Sequence, residues 1–130
     1  MKTSGKSVER WNIFEISLTA KESFANPFRE VEAAAVFSHG ERILRVEGFY
    51  DGGYTWKVRF MPEEVGEYSF RTQSNLEEFH GLEGRFTSTP ASTGNHGPVQ
   101  VHNRCHFRYA DGTPYFVLGT TLYAWFYRPE

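Results

Sequence analysis

Polar and apolar positions alternate through most of the first ninety residues, with turn-forming residues at short intervals. That period of two predicts a series of short β-strands. The clearest is "YTWKVRFMP", where Tyr54, Trp56, Val58 and Phe60 share one face and Thr55, Lys57 and Arg59 share the other. The first face is expected in a core and the second in water. After the turn "PEEVG", Tyr68, Phe70 and Thr72 alternate with Glu67, Ser69 and Arg71, a strand that either pairs with the first or crosses to a second sheet. "VERWNIFEISLTA" predicts a strand with Phe14, Ile16 and Leu18 on one face, and "NPFREVEAAAVFSHG" another with Val31, Ala33, Ala35 and Phe37 aligned. Three consecutive alanines suit a helix, but Pro27 before them, Gly40 after them and the shortness of the run favour a strand. "ERILRVEGFYDGG" reads as one strand entering a glycine turn, and "LEGRFTSTP" as a last strand ending at Pro90. Six or seven short strands with no helix predict an all-β fold, an immunoglobulin- or fibronectin-like antiparallel β-sandwich over residues 1–90.

Two residues refine this picture. Tyr68, just after Gly66, is placed to form a tyrosine corner, its hydroxyl tying the strand start to a nearby backbone carbonyl. Trp56 falls where such sandwiches bury a tryptophan. Residues 91–98, small and polar, read as a linker. The pattern then restarts over 99–130: "VQVH", a two-residue turn at Asn103 and Arg104, "CHFRYADG" and "TPYFVLGTT". This predicts a short β-hairpin followed by a strand apolar on both faces, the habit of a strand buried in a parallel sheet. No parallel partner for it lies within the 130 residues, so it reads as an orphan.

Bulk properties narrow the function classes. A net charge of −2 gives no basic field for nucleic acid or anionic lipid, so neither is expected as a partner. One cysteine, Cys105, excludes an internal disulfide framework. The start "MKTSGKSVERW" has no apolar stretch of signal-peptide length and no segment matches a membrane span, so a cytoplasmic protein is expected. Aromatic residues make up 17% of the chain, enough to furnish both a core and a ligand platform.

Candidate chemistry is sparse. Asp51, Glu63, Glu64, Glu77, Glu78 and Asp111 sit in turn-like contexts, where carboxylates serve backbone geometry, and no catalytic residue is assigned. If Asn103 and Arg104 form the hairpin turn, His102 and Cys105 face each other and His106 points away, too few ligands for zinc; no metal and no cofactor is expected. Phe49, Tyr50 and Tyr54, on either side of "DGG", could form a platform for the apolar face of a sugar, although a strand end commonly buries such aromatics. Phosphate-binding loops, dinucleotide fingerprints and Ser-His-Asp patterns are absent.

Four blocks, "GFYDG" (Gly48 to Gly52), "RFMP" (Arg59 to Pro62), "HFRYADGTPYF" (His106 to Phe116) and "GTTLYAW" (Gly119 to Trp125), occur in an order that resembles the immunoglobulin-like module preceding (β/α)₈ barrels in apiosidase-like glycoside hydrolases. The likeness runs from about Trp11 to the end of the chain. It implies that the hairpin caps the bottom of a barrel, that "PYFVLGTT" is barrel strand one and that "LYAWFYRPE" begins helix one. Thr121, Tyr123 and Trp125 would then lie near the substrate-binding mouth. The two carboxylates of glycoside hydrolysis would come from later strands, beyond residue 130.

The leading expectation is therefore a non-catalytic accessory domain of a glycoside hydrolase, partnered by its own C-terminal barrel. One alternative is a carbohydrate-binding module that holds an oligosaccharide through Tyr50 and Tyr54. Another is a protein–protein interaction domain that homo-oligomerises through the apolar segment 115–127.

Overall fold

The computed structural model describes residues 5–121. The chain divides into two compact units, Met1–Asn95 and His96–Glu130. Among the described residues no helix is long and apolar enough to cross a membrane.

The described residues of the first unit form eight strands: β1 (Lys6–Glu9), β2 (Phe14–Thr19), β3 (Ala33–His39), β4 (Arg42–Glu47), β5 (Phe49–Gly52), β6 (Thr55–Phe60), β7 (Gly66–Ser74) and β8 (Glu83–Thr89). They form a five-stranded sheet in the order β1-β8-β7-β3-β4 and a three-stranded sheet in the order β2-β6-β5. Every pairing is antiparallel except β1 with β8, which is parallel. Phe14, Ile16, Leu18, Trp56, Val58 and Phe60 are buried on the smaller sheet, as their alternation requires. The larger sheet answers with Ala33, Ala35, Phe37, Tyr68, Phe70 and Phe86. Two stacked pairs join the sheets: Phe14 with Phe86 at 3.9 Å between centroids, and Phe37 with Phe60 at 4.1 Å. Each contributes about 1 kcal/mol beyond the apolar area it buries.

The alanine run forms β3, flanked on both sides by other strands. Ala34, on the outer side, is buried as well; its cross-strand partners Gln73 and Glu47 are both bound by Arg45. A four-residue helix, α1 (Pro27–Glu30), precedes β3, and a 3₁₀ turn spans Glu77–Phe79; alternation alone reveals neither. The buried Thr72 hydroxyl fastens that second loop, donating to the Phe79 carbonyl at 2.5 Å and accepting the Leu82 N–H at 2.9 Å.

Several details depart from the sequence reading. "ERILRVEGFYDGG" is two strands, because the chain changes sheets at Gly48. There a Cβ would lie 2.9 Å from the carbonyl oxygens of both Ala33 and Lys57, a crossing only glycine can make. Strand β1 carries little apolar alternation, being an edge strand whose residues are exposed or half-buried, and so escapes a period-based reading. Tyr54 does not share the core face of β6. It sits in the β5–β6 turn with φ 60°, and is 49% exposed. Of the two arrangements the sequence left open for "PEEVG", the crossover is the one found, since β6 and β7 lie in different sheets.

The described residues of the second unit form a three-stranded antiparallel meander: β9 (Val99–His102), β10 (His106–Tyr109) and β11 (Pro114–Tyr115). Asn103 and Arg104 have left-handed φ values of 48° and 63°, as a tight turn demands. The register nevertheless pairs His102 with His106, leaving Cys105 in the loop, so His102 does not face Cys105. Only Pro114 and Tyr115 of "TPYFVLGTT" are in a strand; residues 116–121 have no strand partner among the described residues. Phe116, Val117 and Leu118 are 82%, 64% and 92% exposed. Asp111 organises the β10–β11 turn. It accepts the Thr113 N–H at 2.9 Å and lies 2.7 Å from Nδ1 of His96. Those bonds, His96 first, pull its carboxyl down to about 2.

Candidate functional site

The residues singled out in the sequence occupy three different settings. Tyr50 is half-buried, its ring 4.8 Å from Trp56 and meeting Phe28 edge-on at 5.2 Å, while its hydroxyl accepts the Tyr54 N–H at 3.4 Å. Tyr54 is exposed on the adjoining turn, and Phe28 projects from α1. The planes of Phe28 and Tyr50 are 84° apart, so these rings form a corner rather than a continuous flat platform. Phe49, on the opposite face of β5, lies under the guanidinium of Arg59 at 4.9 Å. Thr121 is exposed and outside any strand, and Tyr123 and Trp125 lie outside the described residues.

The outer face of the three-stranded sheet is charged and paired. Lys57 bridges Asp51 at 2.6 Å and Glu15 at 3.3 Å, and Arg59 meets Glu15 at 2.7 Å. Arg59, with Lys57, holds the Glu15 carboxyl below its ordinary range, and Asp51, with Glu15, raises the Lys57 ammonium. Glu9 is lowered in the same way by the side chain and N–H of Ser92 and by Asn95. A glycosidic general acid needs the reverse, a carboxyl raised enough to carry a proton near neutrality. Among the described residues no three His, Cys, Asp or Glu side chains converge as a metal would require.

A more enclosed site lies at the end of the sandwich where β3 turns into β4 and β6 crosses to β7. It is a cavity of about 130 Å³. The buried Phe37 and Phe60 form its floor, with Met61 and the half-exposed Leu44 beside them. Leu44 pairs with Phe37 across the strands and so shares its inward face at the open end of the sheet. Polar groups ring the opening. Arg42 forks onto two carboxylates, 3.1 Å to Glu63 and 2.9 Å to Glu64, and both raise its pKa.

His39 stacks on Tyr68 with centroids 4.4 Å apart. Its Nδ1 is 2.9 Å from the Glu67 carbonyl oxygen, which can only accept, so Nδ1 carries the proton and Nε2 faces Glu64 at 3.6 Å. Gly66 makes room for this ring: a Cβ at that position, where φ is 140°, would lie 2.7 Å from His39 Cε1. The Tyr68 hydroxyl is tied to the backbone, but as acceptor of the Glu64 N–H at 3.2 Å rather than as donor to a carbonyl. Burial raises its pKa, so the oxygen keeps a proton to donate. His39 and Arg42 carried no motif in the sequence. The one signal pointing here was the acidic turn before the tyrosine corner, which fixes where β7 begins.

Residues 7–75, from β1 to the end of β7, match a family described as "Domain of unknown function (DUF5060)". Among solved structures, a protein described as "a putative glycoside hydrolase from Bacteroides vulgatus ATCC 8482" is similar at 41% identity with a TM-score of 0.83. The match covers 96% of this chain and 24% of that one, so the chain spans about a quarter of its length. No curated protein matches.

Proposed function

Because the chain belongs to the DUF5060 family, we propose that it serves a glycoside hydrolase as a non-catalytic accessory domain, with the reacting carboxylates supplied from outside these 130 residues. The observation that carries this reading is the asymmetry of the structural match: it covers 96% of this chain and 24% of the chain described as "a putative glycoside hydrolase". The electrostatics support it, since hydrogen bonds from Ser92 to Glu9, from Arg59 to Glu15 and from His96 to Asp111 hold these carboxyls below their ordinary range and ionised. The exposed run Phe116 to Leu118 is the junction with a catalytic barrel, whose first strand "PYFVLGTT" resembles.

The test compares the chain with a longer hydrolase that contains it, on a panel of aryl glycosides. Turnover by the longer protein alone is the expected result. Turnover by the 130-residue chain, lost on changing one of its own carboxylates, would overturn the reading.

A further inference from the structure

We propose that the cavity at the end of the sandwich is a subsite for one neutral sugar ring. Its surface is split as such a ligand requires. Ile43, Leu44 and Met61, over the buried Phe37 and Phe60, offer an apolar wall suited to the C–H face of a pyranose, while Arg42 and Glu63 stand on the rim and the buried Tyr68 lines the wall below them. A sugar hydroxyl both donates and accepts, so two neighbouring hydroxyls are best met by a donor and an acceptor side by side. Arg42 and Glu63 provide that pairing, held in register by their own contact at 3.1 Å. The Tyr68 oxygen already accepts a backbone N–H, which leaves its proton to donate elsewhere.

Charge argues against the other ligand classes. Arg42 faces two carboxylates, so an anion meets net negative charge, and a cation finds both carboxylates already engaged by the guanidinium. A wholly apolar ligand would strand the rim groups. The site differs from the aromatic corner at Tyr50 and Tyr54, which lies on β5 and its turn. The choice of a sugar over another neutral polyol rests on the proposed link to a glycoside hydrolase.

The experiment is an NMR titration of the ¹⁵N-labelled 130-residue chain with the methyl glycosides of glucose, galactose, mannose, xylose and arabinose, into the tens of millimolar. Saturable shifts at the amides of His39, Arg42, Met61 and Glu63 are expected with at least one glycoside. Affinity should fall about tenfold in Arg42→Ala and in Leu44→Ala, and stay unchanged in Tyr54→Ala. Arg42 and Leu44 are both solvent-exposed, and each variant's spectrum reports directly whether the fold is kept. The proposal is overturned by shifts centred on residues 49–54, by affinity indifferent to Arg42, or by no shift with any glycoside. Hydrolysis by the longer protein without shifts here removes the subsite and keeps the accessory role. Shifts here with no hydrolysis by the longer protein do the opposite.

Discussion

The rings of His39 and Tyr68 lie face to face, 4.4 Å apart and 17° from parallel, in a space that exists because residue 66 has no side chain. This contact joins the end of β3 to the start of β7, and one wall of the cavity is built on it. Gly66→Ala meets both the left-handed φ and the His39 ring, and is expected to lower stability by about 2 kcal/mol in urea denaturation. Gly66→Ala combined with His39→Ala should recover about 1 kcal/mol of that loss, since the second change removes the clash and leaves the backbone strain.

Ser88 tests the core from the other side. Its hydroxyl is fully buried and has no hydrogen-bond partner among the described residues. Ser88→Ala removes a desolvated polar group at little cost in packing, and is expected to raise stability by about 1 kcal/mol. A lower melting temperature in calorimetry would show that the hydroxyl is satisfied after all.

The turn between β10 and β11 should respond to acid. Asp111 titrates at about 2 against an ordinary 3.8, so its ionised form is favoured by the folded turn. The stabilisation is complete above about pH 4 and is lost as pH falls through about 2. Hydrogen exchange at the Tyr109 and Thr113 amides should accelerate over that window, and Asp111→Asn should exchange faster at neutral pH with the acid dependence removed.

The exposed run Phe116 to Leu118 places three large apolar side chains side by side in water. In the isolated chain this run is expected to drive self-association through a second copy. Sedimentation velocity should show a concentration-dependent dimer, abolished by Phe116→Asp together with Leu118→Asp. A monomer at every concentration would assign the run to a different partner.

Much of the sandwich was legible in the sequence because a half-buried strand writes its burial into alternate residues. Phe14, Ile16 and Leu18 on β2, and Tyr68, Phe70 and Thr72 on β7, needed nothing beyond the period of two. Gly48 hid a change of sheet, since alternation runs smoothly through a crossing whose cause is the approach of two distant carbonyls. Tyr54 matched the phase of β6, but the left-handed turn before that strand set its direction. The end cavity was the least readable feature. Arg42 opens β4 and Glu63 lies on the later β6–β7 crossover, and neither has a local reason to be remarked.

The parallel pairing of β1 with β8 has a mechanical consequence. Lys6 lies opposite Phe86 and Glu9 opposite Thr89, with a further bond from the Arg10 N–H to the Thr89 carbonyl at 2.8 Å. A pull directed outward from the start of β1 and from the end of β8 runs along both strands in opposite senses. The ladder is then loaded in shear, and its hydrogen bonds must fail together rather than one after another. A tether attached through these two ends would transmit force to its neighbours before the sandwich gave way.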